Sequence, residues 1–291
     1  MTFDISNWMG LVNDSKKLSE LSIPGTHNSA ARYIDSNRLT TQTDGIREQL
    51  DAGIRFLDIR VGYTGGGFQL YHEDVSLNLR FGPLRDILKT FLKSHPRETI
   101  IMSLKKEDDA PEGDNAKGVN FAARFDQYVA EDPSLWYLRN AIPTLGEVRG
   151  KIVLFRRFSL AKGAAARGIN AFDGFPGGNG GSTGTIEGPP KLRIQDEFGL
   201  KSTKITSKWS AIEKILKEAS APGHADVLYV NYCSAAGIVV NDFPLSASNY
   251  INPRIVTYFN ANKKGRFGIV VTDFQTTEIN TLIAGTNAGV G

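Results

Sequence analysis

Short, almost uninterrupted apolar segments separated by longer amphipathic stretches restrict the fold of this chain more than any other feature. The runs Ile100-Ile101-Met102 and Ile269-Val270-Val271 have no polar face, so each reads as a strand covered on both sides. Residues 19–23, 54–61, 68–72, 99–104, 151–155, 226–232 and 267–272 have the β-branched and aromatic content of strands. Residues 84–92, 120–130, 207–219 and 247–262 read as helices; in the first, Leu84, Ile87, Leu88, Phe91 and Leu92 share one face. That helix is expected to stop at His95-Pro96, since proline cannot continue it. Doubly covered strands with helices between them are parallel strands joined by crossovers. The expectation is an α/β chain folded as a single, irregular (β/α) barrel over residues 1–291, with a doubly wound open sheet as the second choice.

One segment breaks the pattern. Residues 174–190 contain seven Gly and three Pro, which exclude a helix or a central strand. The expectation there is a mobile loop, because the strands on either side look like parts of one sheet.

Composition excludes several function classes. A net charge of +3 from scattered basic residues offers no nucleic-acid surface. The single cysteine, Cys233, cannot form an intramolecular disulfide, and its apolar surroundings suit a buried, inert thiol. No apolar run approaches the roughly 18 residues of a membrane-spanning helix. Met1 to Trp8 lack the basic and apolar parts of a signal peptide. The chain is therefore expected to be cytoplasmic, or a mature secreted protein with an added initiator Met.

Chemistry-bearing residues recur where apolar strands end. In Ser22-Ile23-Pro24-Gly25-Thr26-His27 a strand begins and turns at Pro-Gly, with His27 just beyond its C-terminus. In a parallel α/β barrel that end of the strands carries the active site. His27 is open to two readings, a turn cap or a site residue. In residues 54–60, alternation puts Phe56, Asp58 and Arg60 on one side and Leu57 and Ile59 on the other. A carboxylate and a guanidinium inside a barrel are costly unless paired with each other or with a ligand. His72 closes the run Phe68-Gln69-Leu70-Tyr71, whereas His95 precedes Pro96 in a helix-ending turn and His224 follows Pro-Gly, and both read as exposed loop residues. Two imidazoles at strand ends suit a general base and a general acid, because histidine titrates near neutral pH. A metal site is the other use for them, but no tight ligand motif is present and Arg60 would repel a cation. Lys105-Lys106-Glu107, Arg156-Arg157 and Asp273 mark three further strand ends. Such a rim fits an anionic, hydroxyl-rich ligand.

Taken in order, these residues resemble the bacterial-type phosphatidylinositol-specific phospholipases C. The resemblance rests on Ser-Ile-Pro-Gly-Thr-His at 22–27, Arg-x-x-Asp-Ile-Arg at 55–60, His72, and Ile-Ile-Met-Ser-Leu-Lys-Lys-Glu at 100–107. It continues through Gly150-Lys151-Ile152-Val153-Leu154 to Arg157, then Gln195-Asp196 and Asp273.

That resemblance implies a distorted, incompletely closed (β/α) TIM-type barrel in one domain. It makes His27 the base for the inositol 2-hydroxyl and His72 the acid for the leaving diacylglycerol oxygen. Arg60 would neutralise charge on the phosphoryl oxygens, Asp273 would orient His27, and Asp58 would hold the phosphate-side network. Lys105, Arg157 and Asp196 match inositol-binding positions, assisted by Glu107 and by Phe198. No cofactor or metal is expected, because Arg60 replaces a carboxylate that calcium-dependent relatives use. The expected partners are phosphatidylinositol at a membrane surface and inositol phosphates. The protein is expected to act as an extracellular monomer, without nucleic acid.

Two positions depart from the family. Asn28 follows the base where bacterial members usually carry Asp, which should weaken the coupling to Arg60. Phe198 keeps the ring of a common Tyr but loses its hydroxyl. Rim aromatics are few; Ile238-Val239-Val240 with Phe243, or Phe172 with Phe175, are candidate interfacial residues. Rival functions are a metal-dependent glycerophosphodiester phosphodiesterase or sphingomyelinase D-like enzyme, and a non-catalytic headgroup-binding module.

Overall fold

The computed structural model describes residues 3–32, 34, 38–64, 66–107, 121–178, 180–200, 205–237 and 244–288. Its strands are β1 (Ser22–Thr26), β2 (Phe56–Thr64), β3 (Gly67–His72), β4 (Val75–Arg80), β5 (Ile100–Lys106), β6 (Trp136–Tyr137) and β7 (Ile152–Arg157). They continue as β8 (Ile169–Asn170), β9 (Thr183–Ile186), β10 (Lys191–Gln195), β11 (Gly199–Leu200), β12 (Val227–Tyr232), β13 (Ala236–Gly237) and β14 (Gly268–Thr272). The helices are α1 (Ile46–Asp51), α2 (Phe81–Ser94), α3 (Phe121–Glu131), α4 (Leu145–Val148), α5 (Ile205–Ser220), α6 (Pro244–Ala261) and α7 (Thr277–Gly285).

The main sheet runs β6-β7-β5-β2-β1-β14-β12-β10-β9, with only the β10–β9 step antiparallel. The hairpin strands β3 and β4 extend from β2 as antiparallel additions. Inward side chains from β1, β2, β5, β7, β10, β12 and β14 meet in one cluster that includes Ile23, Phe56, Ile101, Phe155, Ile194, Val230 and Ile269. Strands that all share one interior enclose it, which makes this a TIM-type barrel rather than an open doubly wound sheet. Among the described residues no ladder joins β9 to β6 or β8, so hydrogen bonds do not close the barrel.

The outer faces pack on helices. Leu57, Ile59 and Met102 contribute to one layer with Leu84, Leu88 and Phe91 of α2. Truncating a fully buried leucine such as Leu88 to alanine costs about 2–5 kcal/mol. On the far side, α5, α6 and α7 cover Val270. Helix α2 ends at Ser94, just before His95-Pro96, as its sequence predicts. Cys233 is buried, and burial pushes its thiol up to about 12.

Several expectations need correction. Strand β1 begins at Ser22, because Leu18–Glu20 form a 3-10 turn. Pro24 and Gly25 lie within β1 and make no turn. A Cβ on Gly25 would stand 2.9 Å from the Phe56 Cβ, so close strand packing is what requires glycine there. Residues 174–190 are not simply a loop: β9 adds to the sheet edge, pairing Thr183 with Gln195 and Ile186 with Leu192. An edge strand tolerates glycine and threonine because only one side needs a partner. Strands β4 and β10 and helices α1 and α7 were not anticipated. His95 and His224 are half-buried rather than exposed: His95 stacks on Phe91 and His224 bonds the Tyr229 hydroxyl at 2.5 Å. Among the described residues no helix is long and apolar enough to cross a membrane.

Candidate active site

The strand register assembles the site. Thr26 pairs with Thr272 at the ends of β1 and β14, so His27 and Asp273 emerge side by side. The His27 Nδ1 lies 2.8 Å from Asp273 Oδ1. Two backbone-directed contacts steady this pair: the His27 N–H donates to Thr272 O at 3.0 Å, and the Gln42 amide donates to His27 O at 3.1 Å. Burial raises the Asp273 carboxyl, against the pull of His27 and its hydrogen bond.

His72 arrives from a different direction, at the end of the antiparallel β3. Its Nδ1 is 2.7 Å from Leu39 O, a contact in which only an N–H can serve the carbonyl. That fixes the proton on Nδ1 of the neutral ring and leaves Nε2 without it. Burial, with Arg60 and His27 adding positive charge nearby, pushes His72 down to about 3. The two imidazoles face each other edge to face, with centroids 6.4 Å apart.

A row of cations crosses three strands. Arg60 pairs in register with Lys105, and Lys105 with Arg157, placing β2, β5 and β7 residues at one level. One layer deeper, Asp58 aligns with Ser103. Asp58 is fully buried and collects the network: Arg60 Nε and Nη2 donate to Oδ2 at 3.1 and 3.0 Å, while Ser103 and Arg157 donate to Oδ1 at 3.0 and 3.3 Å. Burial alone would raise its carboxyl, but Arg60 and Arg157 outweigh burial and hold it well below the usual carboxylate range. Burial likewise opposes the Arg60 charge, and Asp58 and Glu107 overcome it, keeping the guanidinium firmly protonated. Glu107 accepts from Lys105 at 3.0 Å and lies 3.7 Å from Arg60; its buried Oε2 has no hydrogen-bond partner.

Asn28 is buried next to this network, at a φ of +41° that favours Asn, Asp or Gly. Its N–H donates to Asp58 Oδ2 at 3.3 Å, and its side-chain nitrogen has no partner. The charge partner of Arg60 is thus Asp58, from the same strand, and not position 28. Asp196 follows β10, with its N–H donating to Ser182 O at 2.9 Å. A Cβ on Gly181 would overlap Asp196 O, so glycine is required for β9 to approach this corner. Phe198 is 45% exposed at the rim. The candidate catalytic and substrate-binding residues therefore lie at the strand C-termini or on the rim beside them. Arg55, part of the resembling motif, belongs elsewhere: it is buried at the start of β2 against Glu98 at 2.7 Å. The Ile238-Val239-Val240 and Phe243 patch lies outside the described residues.

Sequence reasoning missed one aromatic contributor and gave another a different role. The Tyr232 hydroxyl, at the end of β12, accepts from Arg157 at 3.2 Å, and its ring lies 6.4 Å from that of His27. Phe175 lays its ring 3.8 Å from the Arg157 guanidinium carbon. Tyr232 could have been found as a polar strand-end residue, like His72. Phe175, expected from the sequence as an interfacial residue, instead packs inward against Arg157 and Tyr232, a placement that its glycine-rich surroundings do not signal. Among the described residues no group of three His, Cys, Asp or Glu side chains is arranged to hold a metal ion.

Comparison with known proteins adds to this geometry. Residues 15–158 match the family described as phosphatidylinositol-specific phospholipase C, X domain. The 1-phosphatidylinositol phosphodiesterase of Staphylococcus aureus strain Newman is 32% identical over 92% of this chain and 88% of its own length. The enzyme of that name from Listeria monocytogenes is 29% identical over 92% of this chain and 80% of its own. Among solved structures, a double mutant of the S. aureus phosphatidylinositol-specific phospholipase C superposes with a TM-score of 0.85 at 30% identity, covering 98% of this chain and 97% of that one. The L. monocytogenes phospholipase gives 0.77 at 26% identity, covering 97% and 98%.

Proposed function

This chain belongs to the phosphatidylinositol-specific phospholipase C family, and on that premise we propose that it cleaves phosphatidylinositol to diacylglycerol and inositol 1,2-cyclic phosphate. The observation that carries the reading is that His27, backed by Asp273, and His72 face each other with ring centroids 6.4 Å apart, in a site that also holds the Arg60–Asp58 pair. His27 Nε2 takes the proton of the inositol 2-hydroxyl, and that oxygen attacks phosphorus. The bond from phosphorus to the diacylglycerol oxygen breaks, and His72 Nε2 delivers a proton to the departing oxygen. Arg60 faces the negative charge that builds on the phosphoryl oxygens. A positioned acid, a positioned base and one cation each supply on the order of 10²–10⁴-fold. The cyclic phosphate is then hydrolysed more slowly.

His72 is neutral in the unliganded site at working pH, because burial and Arg60 disfavour its charge. An incoming phosphodiester anion offsets Arg60 and restores a proton to His72 only when substrate is present. Lys105, Glu107, Arg157, Asp196 and Phe198 surround the inositol hydroxyls, and Asn28 and Asp58 hold the phosphate side. Arg60 lies between Asp58 and Glu107, which supports catalysis without a metal or cofactor. In this reading residues 1–291 form one catalytic domain, acting as a monomer outside the cell on membrane surfaces. The exposed Phe172 and Phe198 give it apolar points of contact with lipid.

³¹P NMR of phosphatidylinositol vesicles with enzyme and EDTA tests the proposal. A cyclic phosphodiester signal is expected; a phosphomonoester formed with no cyclic intermediate, or silence in EDTA, would refute it.

A further inference from the structure

Outside the catalytic cluster, on the outer face of β7, lies a cavity of about 380 Å³ whose wall includes Asn140, Arg156, Ser159, Arg167, Phe172 and Asp173. Consecutive strand residues face opposite ways, so Arg157 serves the barrel interior and Arg156 this cavity. Arg156 is only 4% exposed. Its Nε donates to Arg167 O at 3.1 Å, and Nη1 donates to the Phe158 carbonyl. Its Nη2 stands 3.7 Å from Asp173, beyond hydrogen-bond reach. A purely structural role for Arg156 accounts for the first two contacts and not for the third group. It also leaves unexplained why Arg167, which bonds Asp126 through Nε at 3.1 Å, lines the same wall. Burial pulls the Arg156 guanidinium below its ordinary pKa, so Asp173 compensates its charge incompletely.

Arg167 meets Asp126 through Nε alone, so its Nη groups and the Nη2 of Arg156 are donors left over at this wall. Such donors suit an anion, and the amide, hydroxyl and carboxylate beside them suit hydroxyl groups. We propose that this cavity is a second, non-catalytic site for a phosphorylated polyol. Arg156 and Arg167 take the phosphate, while Asp173, Asn140 and Ser159 take the hydroxyls. The proposal rests on the phospholipase reading to this extent: the headgroup of that substrate and its final product have this chemistry. The ligand is either a soluble inositol phosphate or a second headgroup presented by the bilayer. Segment 172–175 separates the two sites, with Phe172 on the cavity wall and Phe175 stacked on Arg157.

The test is calorimetric titration of the full chain with myo-inositol 1-phosphate, repeated on Arg167→Gln and Asp173→Ala. Both side chains are partly or largely exposed, so both variants should fold, and circular dichroism checks this. Two binding events are expected in the parent protein, with one weakened about tenfold in each variant. Inorganic phosphate should be affected by Arg167→Gln but not by Asp173→Ala. Phosphatidylinositol vesicles, with phosphatidylcholine vesicles as reference, separate the two sources. Weaker vesicle binding by Arg167→Gln identifies the bilayer headgroup, and an effect confined to the soluble ligand identifies free inositol phosphate. A single binding event unchanged in both variants overturns the proposal, as does equal loss of inorganic phosphate binding in Asp173→Ala. Turnover of phosphatidylinositol by Arg167→Gln should match the parent. If the parent itself shows no turnover, the catalytic reading has failed, independently of the second site.

Discussion

His27 and Asp273, 246 residues apart in the chain, meet at 2.8 Å because β1 and β14 are neighbouring parallel strands that end at the same level. The carboxylate holds the imidazole in the tautomer that leaves Nε2 free to accept a proton. Asp273→Asn should therefore lower kcat by about 10²–10⁴-fold, by analogy with other oriented histidines. His27→Ala and His72→Ala should abolish cyclic phosphate formation with the fold preserved. Substantial turnover in either alanine variant would remove the acid–base assignment.

His72 titrates near 3 in the free protein, against about 6.5 in an unfolded chain. Between these values the unfolded state holds the extra proton, so stability is complete above about pH 6.5 and falls as pH drops towards 3. His72→Gln should flatten this acid-side loss, seen as a shallower fall of the urea midpoint with pH. NMR of the His72 ring should also show its pKa rising when an inositol phosphate analogue binds; an unchanged value would contradict substrate-linked protonation.

Arg60→Gln leaves Asp58 fully buried with less compensation, which should cost about 3–5 kcal/mol of stability. Arg60→Lys keeps the charge but loses the paired Nε and Nη2 contacts, and should recover stability more than activity. Denaturant unfolding and kcat, measured on both variants, separate the two effects. Equal recovery of both by lysine would contradict a geometric role.

At Asn28 the backbone lies at φ +41°, which alanine adopts with strain and glycine without it. Asn28→Ala should be less stable than Asn28→Gly by about 1 kcal/mol. Identical urea midpoints for the two variants would show that the backbone there relaxes freely.

Phe175→Leu removes the ring that covers the Arg157 guanidinium while keeping an apolar contact. A cation–π contact of about 0.5–2 kcal/mol predicts a KM raised from about twofold to thirtyfold with kcat nearly unchanged. A loss confined to kcat would place Phe175 in the chemical step and out of substrate positioning.

The sequence by itself determined the fold class and the strand-end placement of most candidate site residues, for a local reason. Apolar runs such as 100–102 and 269–271, and charged or imidazole side chains directly after them, are properties of a few consecutive residues. The same locality explains the errors. Pro24-Gly25 looks like a turn in isolation, yet it lies inside β1, paired with Val270 and Val271 of β14, and the close approach of Phe56 is what requires a residue without a Cβ at 25. The glycine-rich stretch looks like a loop until β10 offers it an edge to pair with. Only the tertiary structure decided how strands align. The register of β2, β5 and β7 sets Arg60, Lys105 and Arg157 in one row and makes Asp58 their common anchor. The tertiary fold likewise brings Tyr232, from the end of β12, and Phe175, from the segment between β8 and β9, onto Arg157. The hydrophobic pattern of a strand fixes which face turns inward, but which residues of sequence-distant strands meet is settled only when all the inward side chains pack at once.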